Sequence, residues 1–233
     1  MPAAASRLLP FACIDQARKV RTQLRELERL SERYPIYGLK LSGVMIQSSH
    51  AHLLARGEGF VRFARERNIP ILLHTTTYAG DRFCHNSINM RIARKFPAVR
   101  FCMAHCMGFD KVCLDEADAM ENVFVDSAAM KIQIEVPPDV LAPPERRFDS
   151  DYSDFRKVFT DLAAAYGRTL ICGTDSPAYS YFEKRRYADG TVVNFCLRCT
   201  YAQEKSALDA LGKLRPAVAN RNTCRFLFGP CKA

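Results

Sequence analysis

No apolar run in this 233-residue chain approaches the ~20 residues that a membrane-spanning helix needs, so a helical span is excluded. The N-terminus is equally poor as a secretory signal. Met1 to Arg7 is small and basic, and the apolar run from Leu8 to Ile14 is short, broken by Pro10 and stopped by Asp15. No cysteine framework is visible either. The ten cysteines are scattered, and Cys102 and Cys172 sit inside apolar runs where a thiol acts as a small hydrophobe. Without a secretory signal they read as reduced thiols of a cytoplasmic protein. Cys196 and Cys199 form the one close pair. A zinc ribbon needs a second pair, which Cys224 and Cys231 do not supply. No G-x-G-x-x-G follows the first strand, which argues against dinucleotide binding. The net charge of +9 is not gathered into a basic block. Arg21, Arg25, Glu26, Glu28 and Arg29 interleave as on a solvated helix face, so neither nucleic acid nor membrane is expected as a partner. The milder consequence is steering of an anionic small-molecule substrate.

What is present is alternation. Strands read at Leu8–Ile14, Ile36–Leu41, Ile69–Thr75, Val99–Ala104, Val123–Asp126 and Leu170–Thr174. Helices read at Gln16–Arg33, Ala51–Arg67, Ser87–Phe96, Asp110–Met120 and Asp154–Tyr166, with two more segments near 201–214 and 216–228. Residues 131–151 and 176–193 read as irregular insertions in a single domain spanning 1–233, the first bracketed by Pro137-Pro138 and Pro143-Pro144. Six strand–helix units imply a parallel sheet with helices outside it. Three of the strands run into a polar residue: Ile71-Leu72-Leu73 into His74, Phe101-Cys102-Met103-Ala104 into His105, and Leu170-Ile171-Cys172 into Gly173-Thr174-Asp175. Two imidazoles and a carboxylate at three strand exits in chain order suit a divalent metal such as zinc at the carboxyl end of a parallel barrel.

These segments resemble the amidohydrolase superfamily, in the branch of aminocarboxymuconate-semialdehyde decarboxylase. The resemblance rests on Gly38–Leu41, Ile71–Thr75, Phe101–Gly108, Val123–Ser127 and Gly173–Pro177 as consecutive strand ends, on Asn220–Gly229 as the last helix, and on Arg7–Ala12 as the third strand. It implies a TIM-like (β/α)8 barrel and either hydrolysis by a metal-bound water or decarboxylation of a small carboxylic acid. It also implies roles: His74 as metal ligand, His105 as the group that orients or protonates, and Asp175 as metal ligand and general base. His105 would be drafted as a third ligand if the metal is to have three. The family's first strand normally ends in His-x-His, and nothing before Leu8 forms that strand. The chain therefore reads as an incomplete barrel of about six strands, either a fragment or a protein that has lost half its site.

Other residues carry open alternatives. His50-Ala51-His52 is a substitute metal pair if extended, or a helix start behind the cap Ser48-Ser49. Lys40 is a carboxylated metal bridge, as in other amidohydrolase branches, or an ordinary cation in the barrel. His85, with Asp81 and Arg82, is a substrate contact or a solvated loop. Asp126 lines the pocket or caps the loop after its strand. Function divides likewise between a metal-dependent hydrolase and a non-catalytic scaffold. An uncovered sheet edge beside the first strand favours association into a homo-oligomer.

Overall fold

The structure is a computed structural model that describes residues 8–78, 80–136, 142–186 and 189–230. Arg7, Pro137, Pro138 and Cys231 lie outside the described residues. Six parallel strands form one sheet in chain order: β1 (Phe11–Cys13), β2 (Gly38–Leu41), β3 (Ile71–Leu73), β4 (Phe101–Met103), β5 (Val123–Asp126) and β6 (Leu170–Ile171). Among the described residues β1 and β6 pair only with β2 and β5. The helices between strands include α1 (Val20–Ser31), α2 (Gly43–Ile46), α3 (Glu58–Glu66), α4 (Asn86–Lys95), α5 (Lys111–Ala119), α6 (Met130–Glu135) and α7 (Phe155–Ala165). α8 (Tyr201–Ala210) and α9 (Asn222–Phe228) end the described chain. The α/β alternation read from the sequence is present, with β5 spanning the expected residues and the other five strands shorter than expected.

Strand alternation divides the apolar residues between two layers. Leu39, Leu41, Ile71, Leu73, Phe101, Met103, Val123, Val125 and Leu170 pack outward into the main core with the helices. Phe11, Leu72, Cys102, Phe124 and Ile171 face the inside of the curve, where Phe226 and Leu227 of α9 join them. The Phe226 ring centre lies 6.2 Å from that of Phe11 and 5.6 Å from that of Phe124, so one side chain fills the concave face between the first and fifth strands. Gly38 makes this possible. A Cβ there would sit 2.2 Å from the Phe11 ring. Arg100, just before β4, fixes the plug by donating to the Phe226 carbonyl at 2.7 Å and the Leu227 carbonyl at 3.2 Å. A guanidinium at a helix C-terminus also complements the helix dipole.

Three expectations need correction. The segment 176–193 is not irregular. Ser180–Arg186 (β7) and Val192–Arg198 (β8) pair antiparallel, from Ser180 opposite Arg198 to Arg186 opposite Val192. The signs were present: Val193, Phe195 and Leu197 alternate, and Asp189-Gly190 supplies the turn, with Gly190 at φ 87°. Residues 131–151 likewise open with α6. The helix expected over 51–67 is two pieces, a 3-10 turn at His50–Leu54 and α3. Between them the chain passes so close to Gln16 that a Cβ on Gly57 would lie 2.5 Å from its carbonyl oxygen.

His50 lies in this region and is structural. It is fully buried, accepts from the Gly43 amide at Nε2 (3.0 Å) and donates from Nδ1 to Asn89 Oδ1 (2.8 Å). That arrangement needs a neutral ring, and burial lowers its pKa to about 4, with a smaller push from Lys40. His52 is partly exposed and accepts from Arg56 Nε. Ser49 caps the turn through the Ala51 amide. The His-x-His pair is thus a helix start and not a ligand pair. All nine described cysteines are free.

Two outcomes follow from this packing. Phe226→Ala should lower unfolding free energy by about 3–5 kcal/mol in urea titrations, because removing the ring leaves a cavity between Phe11 and Phe124. A folded pKa near 4 for His50, against ~6.5 unfolded, means the unfolded chain binds the extra proton, so stability should fall with pH from ~6.5 down to ~4, by up to roughly 3 kcal/mol. Half-buried His74, whose pKa is likewise lowered, adds to this slope. Urea midpoints from pH 7 to 4.5 should fall less steeply in His50→Gln than in the parent chain.

Candidate functional site

The site begins in the strand ladder. His74 follows β3 directly, and its amide donates to the Leu41 carbonyl at 3.0 Å, which continues the pairing with β2 by one residue. Period two then puts its side chain on the same inner face as Leu72. Asn89 of α4 donates to the His74 carbonyl at 2.9 Å, and Thr75 Oγ1 donates to the Ala104 carbonyl. On β4, the Ala104 amide donates to the Leu73 carbonyl at 3.0 Å and delivers the chain to His105.

At His105 the backbone turns over. His105, Cys106, Met107, Gly108 and Phe109 all have positive φ, between 48° and 61°, making one left-handed helical turn, and all five are buried. Four of them are not glycine, and such a turn opposes the chirality of L-residues by about 1–2 kcal/mol per residue. Neighbouring segments hold it. Asp126 Oδ1 accepts from the amides of His105 (3.0 Å) and Ala128 (2.9 Å). Asn86 Nδ2 donates to the Met107 carbonyl, the Ala142 amide to the Gly108 carbonyl, and the Phe148 amide to the Phe109 carbonyl. A Cβ on Gly108 would lie 2.6 Å from Thr77, so glycine is needed there for space as well as for φ.

His105 and His74 meet at the floor of a cavity of about 320 Å³. His105 Nδ1 lies 3.0 Å from the Ala128 carbonyl, which can only accept, so Nδ1 carries a proton. His105 Nε2 lies 3.0 Å from His74 Nδ1, with the rings edge-on at 76°. With both rings neutral, His74 Nδ1–H therefore donates to His105 Nε2, and His74 Nε2 keeps its lone pair. Burial, reinforced by His105 and Lys40, holds the His74 pKa well below the usual imidazole range. Asp175, four residues beyond β6 and at φ 57°, lines the same cavity. Burial raises its pKa, against the opposing pull of His105 and Lys40. Ser127 ties the exits of β5 and β6 together, donating to the Gly173 carbonyl and accepting from its amide, both at 3.1 Å.

All three strand-exit residues thus face one space, but not as one ligand group. Among the described residues no three His, Cys, Asp or Glu side chains are grouped so as to hold a metal ion. The one unprotonated nitrogen of His105 is taken by His74, which leaves His74 Nε2 and the Asp175 carboxylate as donors. A catalytic zinc commonly takes three protein ligands plus water. The set present offers two donors and does not fit a three-ligand metal.

The remaining candidates resolve into supporting roles. Asp126 caps the left-handed turn. His85 caps α4 through the Ser87 amide, and Asp81 accepts from Thr76 Oγ1 and the amides of Phe83 and Cys84. Lys40 sits on β2, half-buried, close enough to act electrostatically on His50, His74 and Asp175. Cys196 is exposed on β8, and Cys199 is buried against Glu204 Oε1 at 3.2 Å. Sequence reasoning missed the threonine run Thr75-Thr76-Thr77, Ile132 and Gln133 of α6, and Ser180 and Tyr181 of the hairpin, all on the cavity wall. The threonine run directly after a ligand-like histidine was the legible signal.

Comparison with known proteins agrees with this architecture. The amidohydrolase family model matches residues 1–204. None of the curated proteins matches the chain in sequence. Among solved structures, 2,6-dihydroxybenzoate decarboxylase from Rhizobium is similar at 10% identity and a TM-score of 0.57, over 94% of this chain and 70% of that one. A TIM-barrel protein from Bordetella bronchiseptica reaches 14% identity and 0.57, over 97% and 69%. A dihydroxybenzoic acid decarboxylase from Polaromonas sp. JS666, with bound manganese and 2-nitroresorcinol, reaches 10% and 0.52, over 92% and 67%. At such identities the likeness shows a shared fold.

The double acceptance by Asp126 gives a direct test. Asp126→Ala leaves two buried amides without an acceptor and should lower unfolding free energy by about 2–4 kcal/mol. Asp126→Asn keeps one acceptor oxygen and should lose less than half of that. Urea unfolding of both variants, with the His105 ring resonances followed by NMR, checks the order.

Proposed function

This chain belongs to the amidohydrolase family, and from that premise we propose that it works as one barrel domain whose cavity at the exits of β3, β4 and β6 binds a small organic acid and acts on it by proton transfer. The observation that carries this reading is the 3.0 Å contact between His105 Nε2 and His74 Nδ1 on the cavity floor. Their fixed tautomers support a relay. A proton taken at His74 Nε2 is matched by transfer of the Nδ1 proton to His105 Nε2. His105 then carries the charge while still donating to the Ala128 carbonyl. A base of that kind serves hydrolysis, in which water attacks a carbonyl carbon, its proton goes to His74, and the leaving group departs with a proton returned by the same pair. Decarboxylation, the other reaction implied for this branch, instead needs a proton delivered to the carbon that loses CO2, a role open to the carboxyl of Asp175.

The walls support a partly apolar substrate. Val44, Ala129, Ile132, Val136 and Tyr181 surround the polar floor. Lys40 and the net charge of +9 favour an anion. Amidohydrolases are typically dependent on a divalent metal. Here His74 and Asp175 are the side chains that could hold one, and a two-donor site should bind it weakly. A second reading, a barrel that keeps the scaffold without turnover, is favoured by that same shortage of ligands.

The test is a panel of small aromatic and aliphatic esters, amides, lactones and hydroxy acids, run with and without added zinc or manganese. Turnover of at least one compound is expected, reduced by 100-fold or more in His74→Ala and in Asp175→Asn, in the range that general acid–base groups contribute. After dialysis, metal content should be well below one equivalent. No turnover under any condition, with no compound raising the melting temperature, would establish the scaffold reading. Tight stoichiometric zinc unchanged in Asp175→Asn would sink the assignment of this cavity and point to Cys196 and Cys199.

A further inference from the structure

On the same rim, beside the reaction cavity, lies a second hollow of about 360 Å³ that the proposed reaction does not use. Loops following β1, β2 and β3 bound it, and Arg18, Ser48, Ser49, His52, Arg56 and Arg82 line it. α2 stands between the two spaces. Val44 lines the reaction cavity, while Gln47 and Ser48 line this one.

Its polar groups are almost all donors. Arg18 is paired with Asp15, among the described residues the one carboxylate ion-paired with these side chains, and also holds the Ile46 carbonyl at 2.6 Å. Among the described residues Arg56 and Arg82 form no ion pair. Arg56 Nε donates to His52 Nδ1 at 3.2 Å, and the Arg82 guanidinium lies 5.3 Å from the centre of the Phe83 ring. Because His52 Nδ1 accepts, its proton is on Nε2, which is a further donor. Ser49 Oγ accepts from the Ala51 amide and keeps its hydroxyl hydrogen to give. Ser48 is only 5% exposed, yet among the described residues its Oγ has no hydrogen-bond partner. A buried hydroxyl is normally satisfied. Two unneutralised guanidiniums, an imidazole N–H and two hydroxyls around one hollow match a group that presents several acceptor oxygens and negative charge in a small volume. A phosphate does so, and arginine recognises it through paired N–H bonds.

We propose that this hollow binds the phosphate or pyrophosphate group of a small molecule. Arg56 and Arg82 supply the charge, and Ser48 and His52 supply directed hydrogen bonds. Arg18 has a different part. Its bonds to Asp15 and the Ile46 carbonyl fix the loop after α2, and with it the position of Ser48. The site stands on its own observations and holds whether or not the neighbouring cavity turns over a substrate.

The experiment is titration calorimetry of the full chain with inorganic pyrophosphate at constant ionic strength, sodium chloride making up the difference. Saturable binding of one pyrophosphate per chain is expected, with Kd below about 1 mM. Arg56→Gln/Arg82→Gln should weaken it at least about 10-fold, and Ser48→Ala by roughly 3-fold or more with an unchanged melting temperature. Arg25→Gln/Arg65→Gln, on exposed helix positions outside the hollow, should bind like the parent. Ser48→Ala keeps the test decisive if the double variant does not fold. Absence of heat beyond the chloride control would overturn the proposal, as would equal binding by Ser48→Ala. So would single-stranded RNA that binds more tightly than pyrophosphate and is lost equally in the Arg25/Arg65 variant, which would make the surface a general polyanion patch.

Discussion

One carboxylate oxygen holds the site together. Asp126 Oδ1 accepts from the amides of His105 and Ala128, and so fastens the turn after β4 to the turn after β5. The Ala128 carbonyl, placed by the same clamp, accepts a hydrogen bond from His105 Nδ1–H. That choice of tautomer then dictates which nitrogen faces His74. The chain of dependence runs from a buried acid with no contact to the proposed substrate, through the backbone, to the nitrogen proposed as base.

The barrel poses a second constraint, on its concave side. Six strands with apolar residues on both faces need covering on both. The outer face is met by helices in the usual way. The inner face is met by Phe226 and Leu227 from the far end of the described chain, Phe226 held through its own carbonyl by Arg100. Gly38 on one strand and Arg100 before another exist in this sequence to admit and to fasten Phe226. The half-buried Lys40 shares that inner face with Leu72 and His74, so the interior grades from aromatic near α9 to polar near the cavity.

Much of this was legible in the residues, and what was not has physical reasons. Strand identity was plain because doubly buried strands are short apolar runs, and His74, His105 and Asp175 stood out as polar residues at their exits. Tyr181 and Ser180 were lost because the alternation of β8 was read as irregular, although Asp189-Gly190 marked its turn. The left-handed turn was invisible. Only Gly108 among its five residues announces positive φ, and the turn as a whole is held by bonds to Asp126, Asn86, Ala142 and Phe148 that are distant in sequence. The tautomer pairing of His105 and His74 was also beyond reach, because it rests on a backbone carbonyl that no side-chain pattern encodes. The amidohydrolase resemblance placed both histidines in one site without showing that they would spend nitrogen atoms on each other.

The turn from His105 to Phe109 also says something about the order in which the molecule assembles. A segment that is locally unfavourable by about 4–8 kcal/mol over its four non-glycine residues cannot serve as an early nucleus. It can close only after β5 has brought Asp126 alongside and the segment from Ala142 to Phe148 has arrived to take up its carbonyls. The dyad is therefore conditional on the scaffold: the His74–His105 contact forms only where Asp126, Asn86, Ala142 and Phe148 are in place to hold the turn.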